Sequence, residues 1–362
     1  MDKWRGPHLF GYNNKIKDIK MTKVVYADKE KKVIIEDVAL PKTGKNEVRV
    51  KTAYSYISAG TELNMLQMGK ISMVREVKHE PLGYTMSGYV TEVGKNVRHV
   101  KVGDPVACVG QGAFHADEVL VAKNLVIPVP EGCSIREAAM AAMGCFALEG
   151  VRKAELEFGE NVLIIGGGLM GQFVSQYASM FAGKVILMEG NPDRFNKVVD
   201  KITALVPDEN VWEKVKKLTA PVGVEKVFFC LGGDRTDIFD EVKKVMTNSP
   251  DNIAQGTIVF CGGATITVSL ASPSGNLRIL SSAKAGPGYR DAAFESGVDY
   301  PMGYVKWTVK RNVEVILQAI ADKKLQLDSL ITHEYNQSDA LEAYQELAKP
   351  DTNAMAVLLK YC

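Results

Sequence analysis

The run Val162-Leu163-Ile164-Ile165 leads directly into Gly166-Gly167-Gly168-Leu169-Met170-Gly171. A G-x-G-x-x-G run that follows an apolar strand and opens a helix can hold a pyrophosphate. Its first glycine makes a tight turn, its second lets the backbone approach the phosphates, and its third lets helix and strand pack closely. The free N–H groups and the positive end of the helix dipole then face the anion. Glu189 closes the next apolar strand, eighteen residues beyond Gly171. A carboxylate there accepts hydrogen bonds from ribose hydroxyls and repels a 2′-phosphate, which points to NAD. Arg194 lies within reach and keeps NADP open as the less favoured choice. Two further strand ends, Cys230-Leu231-Gly232-Gly233 and Cys261-Gly262-Gly263, fall where small residues would let a dinucleotide lie flat. The candidate cofactor residues are Gly166, Gly168, Leu169, Met170, Gly171, Glu189, Gly190, Asn191, Arg194, Cys230, Leu231, Gly232, Cys261, Gly262 and Gly263.

Elements of two kinds must position these groups. Before residue 130 the chain carries short runs rich in β-branched residues: Lys23 to Tyr26, Lys32 to Val38, Glu47 to Ala53, Ser87 to Val93, Pro105 to Val109 and Glu118 to Val121. Gly and Pro punctuate them, as in a β-barrel or sandwich. At Ser134-Ile135-Arg136-Glu137 a capping-box pattern opens a helix, Ala138 to Val151. Strands then alternate with helices. The expected strands are Val162–Ile165, Val185–Met188, Lys226–Cys230, Thr257–Cys261 and Leu277–Leu280. The expected helices are Gly171–Ala182 and Pro192–Ala204, the second capped by Asn191. Such alternation implies a parallel sheet wrapped by helices, an α/β fold. A long helix from Val305 to Ala321, a short strand, a helix and a final strand, Ala354 to Lys360, close the chain.

Composition narrows the function. The 362 residues suit two domains. Lys and Arg number 44 against 43 Asp and Glu, a net charge of +1 that points neither to nucleic acid nor to an anionic membrane. No CxxC pair occurs among the six cysteines and the five histidines do not cluster, so no zinc ribbon or disulfide frame is expected. Met1 to Lys20 lacks the apolar stretch of a signal peptide, and a cytoplasmic protein acting on a small molecule is the expectation.

Three stretches together resemble the medium-chain dehydrogenase/reductase superfamily, the relatives of alcohol dehydrogenase. They are Val93 to Val106, with its Gly103-Asp104-Pro105-Val106; the nucleotide fingerprint; and Leu330-Ile331-Thr332-His333-Glu334-Tyr335 followed by Ala340-Leu341-Glu342-Ala343-Tyr344. The resemblance covers nearly the whole chain from about Met21. It implies a GroES-like β-barrel catalytic domain built from residues 1–146 and 285–362, with a doubly wound Rossmann domain, 147–284, inserted between them. It also implies a homodimer or homotetramer joined through the last Rossmann strand, near Leu277 to Ser281.

The departures from the family pattern concern the metal. Zinc members carry Cys-Gly-Thr-Asp, Gly-His-Glu and a later Cys. Here the first reads Ala59-Gly60-Thr61-Glu62, the second Gly83-Tyr84-Thr85, and only Cys145 matches the third. A catalytic zinc needs three protein ligands, so no zinc is expected. The lobe of a structural zinc is also missing, because Val109 to Phe114 runs straight on. Ile57 to Glu62, Gly150-Val151-Arg152, Gly286 to Asp291 and Tyr304 to Thr308 look like a zinc-lacking branch. That branch includes bacteriochlorophyllide 3-hydroxyethyl dehydrogenases and two-part oxidoreductases fused to a Gfo/Idh/MocA-like half, a half absent from this sequence.

Without zinc, hydrogen-bond donors or an acid/base must meet a developing alkoxide. The candidates are Thr61, Glu62 and Tyr84, with Asn64 nearby and Lys306, Lys284 or Arg290 as the cation that could lower the tyrosine's pKa. The implied activity is zinc-independent hydride transfer between NAD(H) and a secondary alcohol or its ketone, of the polyol, sugar or sugar-acid type. An NADPH-dependent quinone or enone reductase, sugar elimination or epimerisation with retained NAD, and a non-catalytic nucleotide-binding subunit stay open beside it. His79, His99, His115 and His333 are read as surface or barrel residues.

Overall fold

The structure is a computed structural model that describes residues 20–66, 79–197, 201–269 and 275–361. The chain begins with β1 (Met21–Ala27), β2 (Val33–Ala39), β3 (Glu47–Tyr56), α1 (Ala59–Met65), β4 (Glu80–Pro81), β5 (Thr85–Val93), β6 (Pro105–Val109), β7 (Glu118–Ala122), β8 (Val126–Pro128), α2 (Ile135–Ala138) and α3 (Ala141–Lys153). β2, β1 and β4 form one small sheet. β3, β5, β6 and β8 pair in that order in another, and β7 runs antiparallel to β3. Val48, Val50, Met86, Val90, Val106 and Val119 are buried on these strands, and β5 and β6 are each buried along four consecutive residues, so both faces of that part of the sheet are covered.

The next part is β9 (Asn161–Ile165), α4 (Leu169–Ala178), β10 (Lys184–Met188), β11 (Ile202–Leu205), α5 (Val211–Thr219), β12 (Lys226–Phe229), β13 (Gly233–Asp234), α6 (Thr236–Val245), β14 (Gln255–Phe260), β15 (Ala264–Thr265) and β16 (Asn276–Ser281). Six of these strands form a parallel sheet in the order β11-β10-β9-β12-β14-β16. The order reverses between β9 and β12, and a ligand crevice is expected outside the carboxyl ends of the strands at that point. Val162, Leu163, Ile164, Val227, Phe228 and Phe229 are buried because helices cover both faces. α7 (Ala292–Glu295), α8 (Val309–Ala321), β17 (Ile331–Asn336), α9 (Ala340–Ala348) and β18 (Ala356–Lys360) complete the chain. β18 pairs antiparallel with β3, so the chain's end returns to the first sheet. The chain is thus an α/β fold with a GroES-like barrel and a Rossmann sheet.

Several elements differ from the sequence reading. The helix expected over Pro192–Ala204 is a 3₁₀ run, Pro192–Lys197, followed by β11; its part at 198–200 lies outside the described residues. Asn191 does cap the run, its Oδ1 accepting the Asp193 N–H at 3.0 Å, but pairing of Ile202 with Val185 draws the chain into the sheet. At Ser134 only half of the capping box forms. Its Oγ accepts the Arg136 N–H at 3.2 Å, while Glu137 accepts amides of Leu327 and Asp328 instead. α8 begins at Val309, after Thr308, whose side chain accepts the Arg311 N–H at 3.3 Å. The expected border at 146/147 falls inside α3, a single helix of 13 residues. The N-terminal stretch read as lacking a targeting signal lies outside the described residues, apart from Lys20.

Candidate active site

The dinucleotide crevice is made of backbone. Gly166 turns with φ of +101°, a conformation that side chains disfavour. A Cβ on Gly171 would stand 1.8 Å from the Gly166 carbonyl oxygen, so α4 can approach the loop only through a glycine. Gly168 has open space above it, at the helix start where a phosphate would sit. Leu169 is buried beneath, and Met170 is half-buried. On the other side, Cys230 N–H donates to Ile165 O at 2.8 Å and Cys261 N–H to Phe229 O at 2.9 Å, which brings both strand ends to the same edge. Gly262 lies so near Leu231 that a Cβ would be 2.4 Å from its carbonyl oxygen. The thiols of Cys230 and Cys261 touch each other, and burial pushes the Cys230 thiol up. These residues fit a nicotinamide dinucleotide.

Glu189 stands at the end of β10 and is already engaged. It accepts the Gly167 N–H at 2.6 Å and the Asn191 N–H at 2.8 Å, and Arg194 pairs with it at 3.3 Å. The carboxylate therefore shapes the glycine loop as well as facing the ribose position. The Arg194 Nε is buried without a partner among the described residues.

The second half of the site is made of side chains. The Tyr84 hydroxyl donates to Ser58 Oγ at 2.5 Å and is hydrogen-bonded to Thr61 as well. Ser58 and Thr61 sit at the start of α1, and Tyr84 at the entry to β5. Three hydroxyls sharing two contacts leave a proton free to donate to a ligand oxygen. Phe146 meets the Tyr84 ring edge-on at 6.0 Å, and Tyr289 meets Phe146 at 5.8 Å, so an aromatic wall stands beside the hydroxyls. Burial pushes the Tyr84 phenol above its ordinary value, and the charge of Glu62 adds to this. Tyr84 is thus a proton donor and not a base at neutral pH. Arg290 lies at Tyr289, 5.7 Å from its ring, and is not among the groups that act on Tyr84.

Zinc does not fit these residues. Ala59 offers no ligand, the Tyr84 hydroxyl is committed to Ser58, and Cys145 is fully buried with its thiol pushed up by burial. Among the described residues no three His, Cys, Asp or Glu side chains gather to hold a metal ion.

Two expected catalytic residues are elsewhere. Glu62, expected to line the pocket, is 1% exposed. It points away from the hydroxyls into the barrel core, because α1 turns its buried face that way. There it accepts Ser58 N–H at 2.7 Å, His115 Nε2 at 3.0 Å and the Tyr344 hydroxyl. Lys306, expected as the cation beside Tyr84, is exposed and lies 5.5 Å from the Trp307 ring, in the segment before α8. Asn64 bonds back to Gly60 O at 2.6 Å within its own helix. Sequence reasoning missed Ser58, because Glu62 stands four residues on rather than the three of a capping box and the serine side chain makes no cap bond. It also placed His115 at the surface or among ordinary barrel residues. His115 is fully buried, and nothing in its local sequence marks it.

Comparisons with known proteins agree with this architecture. Residues 44–148 match the alcohol dehydrogenase GroES-like domain. D-xylulose reductase of Morganella morganii is 24% identical, over 91% of this chain and 98% of its own. The 2R,3R-butanediol dehydrogenase structure from Bacillus subtilis superposes with a TM-score of 0.73 at 19% identity, covering 94% of this chain and 100% of its own. A dehydrogenase structure from Sinorhizobium meliloti bound to NADP gives 0.72 at 19% identity, covering 94% and 99%. With the split barrel, the inserted parallel sheet and the glycine loop, these likenesses bear out the fold that the resemblance to the medium-chain dehydrogenase/reductase superfamily implies, with its GroES-like domain over residues 44–148.

Proposed function

We propose that the chain is an oxidoreductase that moves hydride between NAD(H) and a secondary alcohol or its ketone, of the polyol, sugar or sugar-acid type, without zinc. The observation that carries this reading is the Thr61–Tyr84–Ser58 hydroxyl cluster, in which Tyr84 takes the place of a metal-ligating histidine of the resembled family and which holds a spare proton. The names of relatives, D-xylulose reductase and sorbitol dehydrogenase of Bos taurus among them, support the substrate class.

In this reading the glycine loop and the start of α4 hold the pyrophosphate, and Glu189 orders the loop and meets the ribose. The bound dinucleotide supplies or takes the hydride. Tyr84 and Thr61 orient the substrate oxygen and hydrogen-bond to it as charge develops there, a contribution of about 3 kcal/mol for one such donor. With substrate bound, Ser58 donates to the Tyr84 oxygen instead of accepting from it, which frees the phenol's proton for the substrate oxygen. Phe146 and Tyr289 exclude water from the same side. The experiment is a titration with NADH and NADPH, followed by turnover of xylitol, sorbitol and 2,3-butanediol by the wild type and Tyr84→Phe. Tighter binding of NADH and impaired turnover by the variant are expected. Clear NADPH preference sinks the NAD assignment, and unimpaired Tyr84→Phe sinks the role of the hydroxyl.

A second reading, NADPH-dependent reduction, is favoured by Arg194, whose unpartnered Nε beside Glu189 could meet a 2′-phosphate. We also propose assembly as a homodimer or homotetramer through β16, which lies at the open edge of the parallel sheet. Among the described residues no helix is long and apolar enough to cross a membrane.

A further inference from the structure

We infer that His115 and Glu62 are a pair of positioning residues that hold the Tyr84 hydroxyl against Ser58. This rests on the reading of Tyr84 given above, but it concerns residues that no ligand can reach. Glu62 is 1% exposed, and Ser55, His115 and Tyr344 are 0% exposed. A carboxylate and an imidazole placed so deep are costly unless each is fully bonded, and removing one partner leaves the other unpaired.

Each polar side-chain atom of the pair has a partner. Ser55 Oγ is 3.0 Å from the Tyr361 hydroxyl and 2.7 Å from His115 Nδ1. Glu62 as a carboxylate only accepts, so His115 Nε2 carries the proton of the bond between them. That proton points at Glu62 Oε2, 3.0 Å away. The other carboxylate oxygen accepts the Ser58 N–H at 2.7 Å.

The pair reaches both sides of the Tyr84–Ser58 contact. Glu62 holds the Ser58 backbone. His115 lies against Gly83, the residue before Tyr84. A Cβ on Gly83 would be 2.7 Å from His115 N and 2.8 Å from its Nδ1, and Gly83 has φ of +90°. The His115 N–H also donates to Leu82 O at 2.9 Å. The 3.0 Å bond between imidazole and carboxylate therefore sets the spacing between the two segments whose hydroxyls meet. No proton passes along this route, because the link from Glu62 to Ser58 is a backbone amide. The pair acts on geometry alone.

The test uses the full chain labelled with 13C at the tyrosine Cζ carbons. Loss of a resonance in Tyr84→Phe assigns Tyr84 among the 13 tyrosines. Ser58→Ala gives the resonance of a Tyr84 hydroxyl freed from Ser58. In His115→Ala the Tyr84 resonance is expected to move to the Ser58→Ala position. In His115→Gln, whose amide can still donate to Glu62, it is expected to stay with the wild type. Glu62→Gln keeps the volume and sets a donor against His115; it serves where His115→Ala does not accumulate folded, and the same displacement is expected. Turnover of the polyol panel should fall on the order of 10- to 100-fold in kcat, with KM and dinucleotide Kd unchanged. Tyr84→Phe combined with His115→Ala should be no worse than Tyr84→Phe alone. A Tyr84 resonance at the wild-type position in folded His115→Ala or Glu62→Gln overturns the inference. So does a further loss in the double variant. Unimpaired turnover by Tyr84→Phe would instead remove the catalytic reading, while the resonance would still report the positioning.

Discussion

The two halves of the site are made of different material. The dinucleotide crevice is built from backbone: glycines that permit a turn or a close approach, amides at a helix start, and strand ends brought level by the sheet. The substrate side is built from the side chains of Ser58, Thr61 and Tyr84, which two separate elements carry to one point. A backbone site tolerates few residue types at fixed spacings. A side-chain site accepts many residue types, provided that something behind it fixes their distance. In this chain that support is the buried set around Glu62 and His115.

The contrast can be broken from either side. Gly171→Val is expected to have the largest effect, because even its Cβ would stand 1.8 Å from the Gly166 carbonyl oxygen. Overpacking of this kind should cost about 3 kcal/mol of stability and remove dinucleotide binding, both read by thermal melts and fluorescence titration. Retained NADH affinity would show that the crevice is not organised by that glycine.

Tyr84→Phe should act on the other half alone. A fall in kcat/KM of about 100- to 1000-fold is expected, with dinucleotide Kd unchanged. A parallel loss of NADH affinity would erase the distinction between the two halves.

Glu189→Ala removes acceptors for Gly167 and Asn191 and frees Arg194. NADH binding should weaken about 10- to 100-fold, as for hydrogen bonds to a charged group, and NADPH should gain relative to NADH. Unchanged selectivity would mean that the carboxylate only shapes the loop.

The smallest effect is on stability at high pH. Burial raises the thiols of Cys108 and Cys145 and the phenols of Tyr84 and Tyr361 above their ordinary values. These groups stay protonated in the folded chain and ionise in the unfolded one. Their contribution is complete below the ordinary thiol and phenol range and declines as pH rises through it. Stability should therefore fall above about pH 9, by about 1.4 kcal/mol per pH unit for each group that ionises only on unfolding. Denaturant titrations at pH 7, 9 and 10.5 measure it. A flat profile would place these groups in contact with water.

Legibility followed the same division. The glycine loop, the strand before it and Glu189 could be read directly, since their geometry depends on residues near in sequence. The two Cys-bearing strand ends could be read because parallel strands end at one edge. The pocket could be read only in part. Tyr84 and Thr61 were found through a resemblance, while the direction in which Glu62 points depends on which face of α1 is buried. The helix expected at 192–204 failed because sheet pairing overrode a good cap.

By itself the sequence determined the alternation of strands and helices, the glycine loop and the replacement of two of the three ligands at the metal positions of the resembled family, by Ala59 and Tyr84. These are consequences of local sterics and residue chemistry. Only the tertiary structure decided that Ser58 and Tyr84 meet, that Glu62 turns inward and that Lys306 lies in solvent. It alone brought His115 under both segments of the pocket, because contacts between residues far apart in the chain are set by how the barrel closes and which faces it buries.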